Sequence, residues 1–177
     1  MQLKIEFLEK NKTSINQITQ LCRLINKAYQ EGEKGLWTTD YERITTNDLT
    51  KLIENNQIVV SKLEDQIVGC IQVKLEHSNK KATFGMLSVD KEFEGKGIGR
   101  SLISFIEKYC KDCQMENLQL ELLLPVDSKH GFKERLKEWY TKLGFIPEKT
   151  VPFEDLFSHL QNSLTCECEF LVWNKKL

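Results

Sequence analysis

The chain has no basic run, no long apolar run and almost no net charge, and each absence closes a class of function. Its 25 lysines and arginines balance 26 aspartates and glutamates, leaving a formal charge of −1. Positive charge is not clustered as a phosphate backbone would require, so nucleic acid is not an expected partner. No apolar stretch approaches the roughly 20 residues of a membrane span, so no membrane partner is expected either. The N-terminal stretch from Met1 to Phe7 alternates like a strand and lacks a signal peptide's apolar region, which reads as a cytoplasmic protein. No linker, repeat or low-complexity tract interrupts the 177 residues. One domain spanning 1–177 is therefore expected, long enough for a sizeable core.

A strong metal-site spacing is missing as well. Six cysteines are present, and Cys110-Lys111-Asp112-Cys113 has C-x-x-C spacing, with Cys166 and Cys168 as a second conceivable pair. Cys110 falls near the end of an amphipathic helix, however, and Cys166 and Cys168 share one face of an expected strand. Ordinary thiols are the simpler reading, and no metal is expected.

What the chain does have is a regular alternation of elements. Leu3, Ile5 and Phe7 alternate as a strand. Ser14 followed by Gln17 signals a helix start, and Ile18, Leu21, Cys22, Ile25, Ala28 and Tyr29 lie on one face behind it. Gly32 and Gly35 break that helix, and residues 31–43 have no clean period. Thr45 with Asp48 opens a shorter helix carrying Leu49, Leu52 and Ile53. Ile58–Leu63 and Ile67–Leu75 flank the polar turn 64–66 as a hairpin. Ala82–Val89 is the next strand. Ile98, Leu102, Phe105, Ile106 and Tyr109 mark the buried side of a further helix. The strand Leu118–Leu124 stops at Pro125, Lys133–Leu143 is helical with Gly144 just past its end, and Phe145–Val151 and Cys168–Trp173 close the sheet. The order β-α-α-β-β-β-α-β-α-β-β predicts an α/β fold with a mixed sheet and helices on both faces.

The most informative stretch is Leu87-Ser88-Val89-Asp90-Lys91-Glu92-Phe93-Glu94-Gly95-Lys96-Gly97-Ile98-Gly99-Arg100. A strand ends in a short loop, and three alternating glycines open a helix. Glycine admits close backbone approach, and a helix N-terminus offers unpaired N–H groups and partial positive charge, so the junction suits an anion. Two phosphate loops fail on spacing. No glycine is followed by Lys-Ser or Lys-Thr, and a G-x-G-x-x-G fingerprint would need glycine at Arg100 or Leu102. A helix-capping turn without a ligand is the plain alternative.

Glu94-Gly95-Lys96-Gly97-Ile98-Gly99 resembles the acyl-CoA-binding motif Q/R-x-x-G-x-G/A of the GCN5-related N-acetyltransferases (GNAT family), with Glu94 departing from the usual Gln or Arg. Trp139-Tyr140-Thr141-Lys142-Leu143-Gly144-Phe145 resembles the late-helix signature of the same family, and the order of elements matches along nearly the whole chain. The resemblance implies an acetyltransferase that uses acetyl-CoA, with the amides of Gly95, Lys96, Gly97, Ile98, Gly99, Arg100 and Ser101 on the pyrophosphate. It also implies Leu87, Ser88 and Val89 at a splayed strand edge beside the pantetheine arm. Lys133 stands seven residues before Tyr140, where many relatives carry an asparagine that contacts the donor; here a lysine would reach a phosphate.

Acetyl transfer to an amine by direct attack in a ternary complex needs a held donor, a neutral amine and a stabilised leaving thiolate. The resemblance implies Tyr140 as the general acid, and a phenol titrating near 10 suits a thiol near about 8.5. Its alternative is packing alone. Glu121 interrupts an apolar strand and is the candidate base, although alternation places it opposite Leu118, Leu120 and Leu122, where it is equally readable as solvated. His130, in a polar loop, is a weaker candidate. The irregular segment Glu31–Glu42, with Glu33, Trp37 and Tyr41, is expected to shape the acceptor site and to favour a small cationic amine; a solvated loop is the alternative. A non-catalytic CoA-binding module on the same fold is the rival function. The acceptor amine, of a small molecule or a peptide, and homodimerisation are left open.

Overall fold

The computed structural model describes residues 3–177; Met1 and Gln2 of the expected first strand lie outside them. Seven strands form one sheet in the order β1-β2-β3-β4-β5-β7-β6. The strands are β1 (Leu3–Phe7), β2 (Ile58–Leu63), β3 (Gln66–Glu76), β4 (Lys81–Val89), β5 (Asn117–Pro125), β6 (Ile146–Pro152) and β7 (Cys168–Lys176). All neighbours run antiparallel except β4 and β5.

Helices α1 (Ile15–Gly32) and α2 (Thr46–Glu54) cover one face, and α3 (Ile98–Asp112) and α4 (Gly131–Lys142) the other. Each begins or packs as its residues dictate. Ser14 Oγ accepts from the Gln17 amide at 3.2 Å while Gln17 Oε1 accepts from the Ser14 amide at 2.9 Å, so α1 opens on a reciprocal cap. Thr45 Oγ1 accepts from the Asp48 amide at 3.1 Å and starts α2. Leu21, Ile25, Leu49 and Ile53 then bury against Ile58, Val60 and Met86. On the opposite face Ile98, Leu102 and Ile106 bury against Val59, Val68 and Ile71. Odd and even residues of β2 thus serve two cores, which is why the strand reads as continuously apolar.

One helix was not anticipated. Between β6 and β7 the chain forms α5 (Phe153–Phe157) and a 3-10 segment (Ser158–Ser163). Phe153, Phe157, Leu160 and Leu164 recur at helical spacing and pack with Leu123 and Phe170 in a third apolar cluster. Trp37 bridges to Leu164, and the Thr165 amide donates to Leu36 O at 3.0 Å, so this segment is docked onto the irregular loop after α1.

Two departures from regular sheet geometry position the site. Strands β4 and β5 pair only at Lys81–Asn117, Ala82–Leu118 and Thr83–Gln119, and beyond these they diverge. Opposite β3, β4 carries a bulge between Gly85 and Ser88, with Met86 at φ +48°. The extra residue switches faces: Phe84 packs with the α3 core, Met86 with the α1 core, and Leu87 and Val89 return to the α3 side.

Candidate active site

The divergence of β4 from β5 opens a cavity of about 540 Å³ that passes through the sheet. At one end its wall is the loop from Glu94 to Arg100, followed by Leu87, Val89, Arg135, Trp139 and Tyr140. At the other end it is lined by Glu33, Trp37, Arg43, Glu121 and Lys133, and closed by Phe153, Phe157 and Phe170.

At the first end, the Asp90 amide donates to Val68 O on β3 at 2.8 Å. Backbone groups alternate direction along a strand, so the N–H and C=O of Leu87 and Val89 point away from β3 into the opening left by β5. Their side chains share a face, as their two-residue spacing predicts. Ser88 turns the other way and is buried, its Oγ donating to Met86 O at 3.2 Å.

The glycine loop is open. Gly95 at φ +74° and Gly97 at φ +82° are in the left-handed region, and a Cβ at either would meet nothing within 4 Å. Gly97 is the N-cap of α3 and provides no side-chain cap, so the first-turn amides are left facing outward. Gly99 and Ile98 complete the wall. Lys96 folds over the Phe93 ring at 4.7 Å and does not line the cavity. Ser101 Oγ donates to Gly97 O at 3.2 Å and braces the turn. Glu94 is exposed at the rim.

Tyr140 sits where the two ends meet. Its ring is 5 % exposed and wedged among Trp139, Phe145, Phe84 and Trp173, with centroids 5.1 to 6.4 Å away. The helix end behind it is closed by Gly144, which lets the Phe145 amide donate back to Tyr140 O at 3.0 Å. Among the described residues its hydroxyl has no hydrogen-bond partner. Burial, with Tyr29 nearby, raises its pKa above the ordinary phenol value. It therefore holds its proton throughout the neutral range.

Glu121 lies on the opposite face of β5 from Leu120 and Leu122, as simple alternation predicts, and its side chain is open to the cavity. Partial desolvation raises its pKa, against the pull of Lys81 and Arg43. Tyr140 and Glu121 are thus on different faces of the sheet, and only the gap between β4 and β5 brings them onto one cavity.

The Glu33 end differs from expectation in its charge. Lys133 Nζ donates to Glu33 Oε1 at 2.6 Å, and Trp37 Nε1 donates to Glu33 Oε2 at 2.5 Å. Both charged side chains are below 10 % exposed, at 4 and 7 %. The Lys133 ammonium is therefore engaged by Glu33 rather than offered to a phosphate, and the Glu33 carboxylate is engaged rather than offered to a cation. Tyr41 stacks on Trp37 at 3.8 Å and 7° without itself lining the cavity. His130 does not line the cavity; its Nε2 is 3.0 Å from Lys34 O.

Several lining residues had no signal in sequence reasoning. Arg43 ends the aperiodic loop, and Arg135 is one cation among many on an amphipathic helix. The aromatic residues of α5 did have one, since Phe153, Phe157 and Leu160 are at helical spacing. The cysteines lie elsewhere: Cys110 and Cys168 are buried, Cys166 is exposed, and none lines the cavity. Among the described residues no group of three or more His, Cys, Asp or Glu is placed to hold a metal.

Comparison with known proteins agrees with this geometry. Residues 54–147 match the family model described as an acetyltransferase (GNAT) domain, and the chain belongs to that family. It is an acetyltransferase. No curated protein matches it by sequence. Among solved structures it is similar to PaiA N-acetyltransferase of Thermoplasma acidophilum, in complex with coenzyme A, with a TM-score of 0.72, 20 % identity and all of both chains covered. It is also similar to the ribosomal-protein-alanine N-acetyltransferase of Brucella melitensis, with a TM-score of 0.69, 15 % identity and 98 % and 99 % of the two chains covered. A third similar structure is yncA of Salmonella typhimurium with acetyl-CoA, with a TM-score of 0.70, 14 % identity and 100 % and 95 % covered.

Proposed function

We propose that the chain, acting as one domain, moves the acetyl group of acetyl-CoA to the primary amine of a small molecule by direct transfer in a ternary complex. The observation that carries the reading is the single cavity joining the glycine loop, Tyr140 and Glu121 through the gap between β4 and β5.

The donor half fits coenzyme A on its own features. The open space at Gly95 and Gly97 admits a phosphate against the α3 amides, where the helix terminus favours negative charge. Arg100 and Arg135 stand on the same wall to neutralise further phosphate charge. Leu87 and Val89 offer backbone groups to the amides of a pantetheine arm as an added strand would. The thioester supplies an activated acyl carbon when bound there.

The chain's own groups account for the proton traffic. A primary ammonium titrating near 10.4 must lose a proton before attack, and Glu121 accepts it from the face opposite the donor. The N–C bond forms as the C–S bond breaks, and Tyr140 Oη gives its proton to the departing sulfur. The second proton released by nitrogen restores the phenol through solvent. The aromatic wall of Phe153, Phe157 and Phe170 keeps bulk water from the acceptor end.

Release of free thiol from acetyl-CoA across a panel of primary amines tests the reading. Acetylation of at least one amine is expected, and tight CoA binding with no transfer to any would favour a CoA-binding module instead. Two variants sharpen it. Gly97→Ala forces a Cβ into the left-handed region, at a cost of about 1–2 kcal/mol, and into the space a phosphate needs. Calorimetry should show CoA affinity reduced about tenfold. Glu121→Gln should lower kcat/KM about 10²-fold at neutral pH. Because the wild-type carboxyl titrates above its ordinary value, wild-type activity should fall as pH drops through that raised pKa, and the variant should lack this acidic limb. An unchanged pH profile would remove Glu121 as the base.

A further inference from the structure

Arg43 is the one cation on the acceptor half of the cavity that has no paired acid among the described residues. Its guanidinium lies over the Tyr29 ring, 4.9 Å from the centroid, with the Tyr29 and Tyr41 hydroxyls in hydrogen-bonding reach, and its Nε is out of solvent without a hydrogen-bond partner. A guanidinium keeps its charge at any physiological pH, and a buried donor left unmatched is costly. Its hydrogen-bonding neighbours are neutral phenols, and no carboxylate forms an ion pair with it among the described residues.

The position is also held in advance. Asn26 of α1 clamps the residue that follows: its Nδ2 donates to Ile44 O at 2.9 Å and its Oδ1 accepts from the Ile44 amide at 3.0 Å. The backbone beside Arg43 is therefore fixed to α1, and Tyr29 of the same helix supports the side chain. Glu33, the acid nearest on this loop, is already matched by Lys133 and Trp37. Glu121 lies within electrostatic reach of Arg43 but forms no ion pair with it.

We infer that the acceptor amine carries a carboxylate, received by Arg43, and an apolar body, received by the Phe153–Phe157–Phe170 pocket: the chemistry of an apolar α-amino acid. This rests on the N-acetyl transfer reading and names its substrate class. A zwitterion matches the wall charge for charge, with its ammonium at Glu121 and its carboxylate in the planar fork of Arg43. A simple cationic amine would satisfy Glu121 and leave Arg43 unmatched and repelling it. A neutral or peptide-blocked acid would fill Arg43 and give Glu121 nothing to deprotonate.

The test compares L-phenylalanine, L-phenylalaninamide and phenethylamine as acceptors, by thiol release from acetyl-CoA, in the wild type, Arg43→Met and Arg43→Lys. In parallel, calorimetry measures N-acetyl-L-phenylalanine and N-acetylphenethylamine on the CoA-loaded protein. Wild-type kcat/KM for phenylalanine should exceed that for the two uncharged-tail amines by about 30-fold, the scale of hydrogen bonds to a charged group. Arg43→Met should erase the preference and Arg43→Lys restore part of it, with CoA affinity equal in all three proteins as evidence of an intact fold. Equal handling of carboxylated and carboxylate-free members by the wild type, or a preference that survives in Arg43→Met, overturns the inference. Carboxylate-selective binding without transfer to any amine would support the Arg43 site while failing the transfer reading.

Discussion

Replacing Tyr140 with phenylalanine should lower kcat by about 10²–10⁴-fold, the range general acid–base groups contribute, while leaving CoA affinity within twofold or so of the wild type. The ring is the part of Tyr140 that holds structure. It makes tilted and edge contacts with Trp139, Phe145, Phe84 and Trp173, and phenylalanine preserves all of them. The hydroxyl is the part left free toward the cavity. The substitution therefore separates packing from chemistry, and thermal unfolding should report nearly unchanged stability.

The raised phenol pKa at first argues against this role, since a weaker acid gives up its proton less readily. The surroundings that raise it are apolar and buried, though, and they act equally on a thiol placed beside it. Desolvation disfavours thiolate and phenolate alike, so the gap between the two acids stays close to its value in water, and the forming thiolate gains a hydrogen-bond donor in a low-dielectric site where such a bond is strong. Because Tyr140 stays protonated well beyond neutrality, it should not produce an alkaline limb near pH 8 in kcat. Unchanged turnover in Tyr140→Phe would assign the phenol to packing alone.

The geometry of the glycine-loop end of the cavity was legible in the sequence because it is made of local features. A strand end, two glycines with positive φ and a helix start are contiguous from Leu87 to Ser101, and each leaves a mark on the residues that form it. The helices were legible for the same reason: Ser14 with Gln17, and Thr45 with Asp48, act over three residues. The contacts at the Glu33 end were not legible, because they join residues far apart in the chain. Lys133 and Glu33 meet across 100 positions, and nothing near either announces the other. Glu33 therefore looked like a free acid for a cation, and Lys133 like a free base for a phosphate, until the fold placed them together. The bulge at Met86 was equally hidden, since it needs an L residue at positive φ in a run that otherwise reads as plain alternation. The helix α5 was missed for a different reason: its apolar spacing was present, but it is short and lies between two strands, where a loop is the usual connection.

The same long-range pair gives the largest expected effect on stability. Lys133→Met removes one partner of a buried ion pair and leaves the Glu33 carboxylate with only the Trp37 N–H, which should cost about 3–5 kcal/mol. For a chain of this length that corresponds to a fall in Tm of roughly 10 °C. Most of the loss should be recovered in the double variant Glu33→Gln with Lys133→Met, because the uncharged amide oxygen still accepts from Trp37 and no charge remains buried. The pair also has a positional consequence. It ties the loop that carries Trp37 and Arg43 to the first turn of α4, and Tyr140 lies two turns further along that helix on nearly the same face. In the double variant the stability should return while KM for the acceptor stays raised, since the loop is no longer anchored by a charged contact to the helix bearing Tyr140. CoA affinity should change little, because the Glu94–Arg100 loop follows β4 directly and opens α3. Full recovery of both stability and acceptor KM would show that the pair serves folding and has no part in aligning the two halves of the cavity.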